Sequence, residues 1–88
     1  MRYADLLKKG IAKRGLSLNQ IVFQLAKRDI CLDKAILSKM QNGKHPPAKD
    51  DINIVLADVL QINSTEFRLA AVKEIIPESL YELIKTAS

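Results

Sequence analysis

Apolar residues recur at helical spacing along the whole chain, and no segment alternates apolar and polar residues long enough to make a strand. Tyr3, Leu6, Leu7 and Ile11 share one face of a first helix. It stops at Arg14-Gly15, where basic residues precede a glycine suited to a C-cap. Ser17 with Gln20 three positions later has the spacing of a capping box, and Leu18, Ile21, Val22 and Leu25 follow as an inward stripe. The period is lost between Lys27 and Leu32, which predicts a turn, and Asp33 is placed to cap a third helix. That helix runs from about Lys34 to Gln41 and ends at Asn42-Gly43, after which Pro46-Pro47 keep the segment to Lys49 out of any helix.

The second half continues the pattern. Asp50 or Asp51 would cap a fourth helix with Ile52, Val55, Leu56 and Val59 inward. Asn63 and Glu66 form another capping box, before a fifth helix through Phe67, Ala71 and Ile75. Pro77 fits the first turn of a sixth, with Leu80, Leu83 and Ile84 inward. The expected fold is therefore all-α, a compact bundle of five to six short helices.

At 88 residues, 48% of them hydrophobic and 27% charged, the chain has the size and composition of one small globular domain. One cysteine forms no internal disulfide, and with one histidine it is too few for a structural zinc site. Cys31 is expected as a small half-buried apolar residue. No uncharged run is long enough to cross a bilayer and no signal-peptide pattern opens the chain, so a cytoplasmic location is expected. No triad, metal site, acid–base pair or glycine-rich phosphate loop is recognisable, so no catalytic residue, cofactor, metal or small-molecule ligand is expected. His45, beside Pro46, reads as a loop residue.

The charge is unevenly placed. Met1 to Lys49 carries 11 Lys and Arg against 3 Asp and Glu, whereas Asp50 to Ser88 carries 3 against 7. A basic first half suits a polyanion. On a wheel of about 100° per residue, Ile36, Leu37 and Met40 fall on one side of the third helix. Lys34, Ala35, Ser38, Lys39 and Asn42 fall on the other. That outer face is basic and hydrogen-bonding, with a small residue at its middle, which suits the major groove. Lys34 and Lys39 would reach guanine acceptors or phosphates, Ser38 can donate or accept, and Ala35 or the edge of Ile36 can touch a thymine methyl. Lys44 and His45 follow where a helix leaving the groove meets the backbone. Ser17, at the start of the second helix, and Lys13 and Arg14 just before it, offer further phosphate contacts.

Three strings carry a family resemblance: Gly15-Leu16-Ser17-Leu18 with Ile21 and Leu25; Leu37-Ser38-Lys39-Met40-Gln41-Asn42-Gly43-Lys44; and Leu56-Ala57-Asp58-Val59-Leu60-Gln61-Ile62. Over roughly Leu6 to Phe67 they resemble the lambda-repressor/Cro-like helix-turn-helix regulators, the XRE family. The later Ile75-Ile76-Pro77-Glu78-Ser79-Leu80 resembles the tail of some short members from bacteria and their phages. The resemblance implies a helix-turn-helix made of helices two and three within residues 1–67, with helix three in the major groove of double-stranded DNA. It implies base contacts at Lys34, Ala35, Ser38 and Lys39, and backbone contacts at Ser17, Asn42 and Lys44. Two departures stand out. Leu18 occupies the second position of helix two, where the family carries glutamine, and the family's turn of about three residues is replaced by the longer Ala26 to Asp33. Lys27 and Arg28 in that insertion either solvate it or touch phosphate.

The expected function is that of a sequence-specific transcriptional regulator, a repressor of bacterial or phage origin. Residues 68–88 form a helical extension that either packs on the domain or joins two copies into a dimer. The alternative is an interaction module, antirepressor- or antitoxin-like, which does not read DNA and binds a protein through the acidic half with Phe67, Leu69, Tyr81 and Ile84.

Overall fold

The computed structural model describes residues 1–87, with the backbone alone for Glu78, Tyr81, Thr86 and Ala87. Six helices follow one another: α1 (Tyr3–Arg14), α2 (Leu18–Ala26), α3 (Lys34–Gln41), α4 (Asp50–Leu60), α5 (Ser64–Ile75) and α6 (Glu78–Ala87). Among the described residues there is no strand, so the all-α bundle expected from the periodicity is the fold. α1 packs on α3, α4 and α5; α2 packs on α3 and α4; α4 lies along α5. Among the described residues no helix is long and apolar enough to cross a membrane.

Local chemistry sets the helix ends. Gly15, at φ 68°, closes α1 in the left-handed region, and its N–H donates to Ile11 and Ala12 carbonyls. Ser17 Oγ accepts from the Gln20 N–H while Gln20 Oε1 accepts from the Ser17 N–H, so the capping box at α2 is complete. Asp33 caps α3 by accepting from Ala35 N–H at 2.6 Å. Gly43, at φ 71°, ends it, with the Lys44 N–H returning to the Lys39 carbonyl. Asn63 accepts from the Glu66 N–H at the start of α5. The cap of α4 differs from expectation. Lys49 is its N-cap and makes no side-chain bond, while Asp50 and Asp51 lie in the first turn, where a carboxylate still favours the helix dipole. Arg68 bonds Asp50 through two nitrogens at 2.8 Å each and holds that carboxyl below the usual range.

The lengthened connection between α2 and α3 is part turn and part extended chain. Lys27 to Asp29 continue past α2 as a turn. Asp29, at φ 62°, takes the left-handed conformation, and the Ile30 N–H bonds back to the Leu25 carbonyl. Ile30 and Leu32 then rest half-buried against the core, and Arg28 pairs with Asp58 of α4.

Leu7, Ile21, Leu25, Leu37, Met40, Leu56 and Phe67 form the fully buried centre. Two helices keep the expected faces in part, with residues added or lost at the edges. α4 buries Asn53, Leu56, Ala57, Val59 and Leu60, leaving Ile52 and Val55 half-buried, because Asn53 finds hydrogen-bond partners inside. α5 buries Phe67, Ala70 and Ala71 and turns Ile75 out to solvent. Glu74, exposed near the end of α5, accepts from the Tyr3 N–H through Oε2 at 3.0 Å and so caps α1, which has no side-chain cap of its own. Leu80, Leu83 and Ile84 were expected inward and are exposed, Leu83 at 65%, so α6 does not bury its apolar stripe in the domain. Pro77 precedes α6 and sets Ile76 in extended backbone, as a residue before proline prefers.

Tyr3 ties these elements together. It is 1% exposed, its ring stacks on Phe67 with centroids 4.6 Å apart, and its hydroxyl donates to Asn53 Oδ1 at 2.6 Å. Burial, reinforced by the charge of Glu74, pushes its phenol well above the ordinary value of 10.0. The unfolded chain therefore loses this proton near pH 10 while the folded one keeps it, so stability is present below pH 10 and is lost as pH rises beyond it. Urea midpoints at pH 9, 10 and 11 should fall more steeply for wild type than for Tyr3→Phe, by up to about 1.4 kcal/mol per pH unit. Parallel slopes would mean that the phenol is not linked to folding.

Candidate nucleic-acid interface

α3 is held by its inner face and displays the other. Leu37 and Met40 are buried and Ile36 is half-buried, which leaves Lys34, Ala35, Lys39 and Asn42 exposed. Ser38 lies among them, half-buried and not fully on the surface. Asn42 Nδ2 donates to the Ser38 carbonyl at 2.9 Å, so its amide closes the end of the helix. The second N–H of that amide is left to donate.

The electrostatics of this helix are uneven. Lys39 sits in the last turn, where the dipole favours a cation. Lys34 is the first residue, where the dipole opposes one; the Asp33 carboxylate beside it offsets part of that cost. Gly43 turns the chain tightly, within 3.9 Å of Ala4 for a Cβ placed there, and delivers Lys44 to the surface. His45 is half-buried, with Nδ1 2.8 Å from the Pro46 carbonyl.

The other proposed backbone contacts lie on different elements. Ser17 is exposed at the start of α2; its oxygen accepts from Gln20, which leaves the hydroxyl proton free to donate. Leu18, expected at the second position of that helix, is its half-buried first residue, because Ser17 is the N-cap and lies outside it. Arg14 Nε donates to the Val59 carbonyl at 3.2 Å, and Lys13 lines a shallow groove with Gln61, Asn63 and Glu66. The end of α4 presents unsatisfied carbonyls, which attract the cations that close α1. In the α2–α3 connection Arg28 is held by Asp58, and Lys27 Nζ lies 4.8 Å above the ring of Phe23. Cys31, expected half-buried, is exposed.

Two residues that support this surface were not anticipated. Asn53 Nδ2 donates to the Ala48 carbonyl at 2.8 Å, which holds the loop after α3 from its far end. Lys49, the N-cap of α4, adds an exposed cation to that loop. The available signal was a lone asparagine three residues before Leu56 and four before Ala57, on what proves to be the inner face. Of the residues assigned to the alternative protein interface, Phe67 is fully buried and cannot face a partner, Leu69 and Ile84 are exposed, and the Tyr81 side chain lies outside the described residues.

Comparison with protein-family models, with curated proteins and with solved structures finds no match.

Because Lys34 opposes the helix dipole, Lys34→Glu should stabilise the free protein by about 0.5 kcal/mol, read as a higher midpoint in urea. A loss of stability would show that Lys34 is held by contacts of its own.

Proposed function

We propose that this protein binds double-stranded DNA with α3 in the major groove, as a helix-turn-helix of α2 and α3, and regulates transcription as a repressor in the cytoplasm of a bacterium or of a phage-infected cell. The observation that carries this reading is the outer face of α3 with the loop behind it. Lys34, Ala35 and Lys39 are exposed on the helix, Ser38 lies between them, and Lys44 stands beyond its end. Lys34 occupies a position that helix stability alone disfavours. Several other cations of the first half are engaged within the protein: Arg14 by the Val59 carbonyl, Arg28 by Asp58 and Lys27 by Phe23.

The roles follow from the chemistry. Lys34 and Lys39 donate to guanine acceptors or adjoining phosphates, Ser38 bonds a base edge, and Ala35 lets the helix approach closely enough to touch a thymine methyl. Ser17, Asn42, Lys44 and His45 hold the phosphate backbone on either side; Lys13 and Arg14 add long-range charge. Affinity arises largely from counterion release, so it falls steeply with salt.

The exposed stripe of α6 favours a second element of this reading, a homodimer formed through the C-terminal helices. Leu80, Leu83 and Ile84 are exposed on α6, and Leu69, Val72 and Ile75 on α5. Two copies joined there would present two α3 helices to half-sites about 34 Å apart.

Fluorescence anisotropy with a mixed-sequence duplex across a salt series tests the binding. Wild type should bind at low salt, with log K falling linearly in log salt. Lys34→Ala/Lys39→Ala should weaken binding by about 2 kcal/mol or more. No binding by either protein at low salt would reject the reading and turn attention to the interaction-module alternative. Sedimentation equilibrium tests the dimer: wild type should sediment as two chains and Leu83→Glu as one, and identical masses would reject it.

A further inference from the structure

The loop between α3 and α4 is fastened at both ends and stiffened between them. At its start Gly43 takes φ 71° and the Lys44 N–H bonds the Lys39 carbonyl at 2.8 Å. At its finish the Ala48 carbonyl accepts from Asn53 Nδ2, also at 2.8 Å. Pro46 and Pro47 restrict the residues between, and His45 turns its ring back onto the Pro46 carbonyl. Lys44 and Lys49 flank this span.

The finishing bond is costly in isolation. Asn53 is 1% exposed and is the buried polar side chain of the core. A buried amide is tolerated only when its groups are paired. Its amide nitrogen goes to the loop and its oxygen to the Tyr3 hydroxyl, 50 positions away. Tyr3 in turn is clamped by stacking on Phe67 and by the bond from its N–H to Glu74. A leucine at position 53 would fill the same space without needing a partner, but it could not hold the loop. The polar choice makes sense if the place of the loop matters.

We infer that Tyr3 and Asn53 are positioning residues for DNA binding: through the Ala48 carbonyl they fix the loop that carries Lys44, His45 and Lys49 at a set position beside α3. This rests on the nucleic-acid reading above. Neither side chain touches DNA. Their effect passes through the loop cations, which meet the phosphates already ordered and lose less freedom on binding.

The test uses the full chain with Tyr3→Phe, which keeps the ring stacked on Phe67, and Asn53→Leu. In the free protein, backbone 15N order parameters at Lys44, His45, Ala48 and Lys49 should drop from near 0.85 to below about 0.6 in both variants while the helices stay rigid. In DNA titrations at low salt, Tyr3→Phe should weaken binding about 5-fold in the wild-type background. In a Lys44→Ala/Lys49→Ala background it should cost less than about 2-fold, because its route to the phosphates is gone. Unchanged loop order parameters in both variants, or equal affinity losses in the two backgrounds, would overturn the inference. If wild type binds no DNA while the variants still free the loop, the nucleic-acid reading fails and the anchoring stands.

Discussion

The Tyr3 side chain is the contact that links α1 to both α4 and α5. All six helices are short, between 8 and 12 residues, and helices of that length are marginal alone in water. Their order has to come from tertiary packing. Tyr3 supplies part of it from the first turn of α1, by stacking on α5 and by bonding α4 through Asn53. Glu74 adds the return link, accepting from the N–H of the same residue. Removing one member of such a network exposes the others to the full cost of unpaired burial, so its parts are far more strongly coupled than their separate contacts suggest.

Helix ends were legible because their causes are local. Gly15, the Ser17–Gln20 pair, Asp33, Asn42-Gly43 and Asn63 each act within four residues of where they stand. The outer face of α3 was legible for a similar reason: once Leu37 and Met40 point inward, Lys34 and Lys39 cannot. The inward place of Asn53 in α4 and the link from Glu74 of α5 to α1 were not legible. They depend on Asn53 meeting Tyr3 and on Glu74 meeting the Tyr3 N–H, 50 and 71 positions apart. A polar residue on a helix reads as solvent-facing until its distant partner is known. The same holds in reverse for α6, whose apolar stripe reads as inward-facing while Leu80, Leu83 and Ile84 stand exposed.

Charge shows the largest gap between a count and a surface. The first half of the chain is basic by composition, yet Arg14 and Arg28 engage α4 and Lys27 lies over Phe23. Basic residues near the end of one helix are drawn to the carbonyls and carboxylates of another, and the sequence does not show which helix ends meet. Lys34, Lys39, Lys44 and Lys49, on α3 and the loop after it, are exposed.

Lysine also shapes what kind of recognition this surface can offer. An arginine reads guanine through a rigid two-pronged contact, whereas a lysine is a mobile point charge that accepts several partners. On the proposed reading, a helix that presents lysines to the bases would gain selectivity from how narrowly its approach is constrained. α3 is constrained on three sides. Asp33 closes its start and Gly43 its end, and the α2–α3 connection is pinned to α4 by Arg28 and Asp58 rather than left as a free spacer. With the helix and its following loop both held, the backbone from which each lysine extends has a set place. In that setting the length of the insertion matters less than the fact that its far side is tied down.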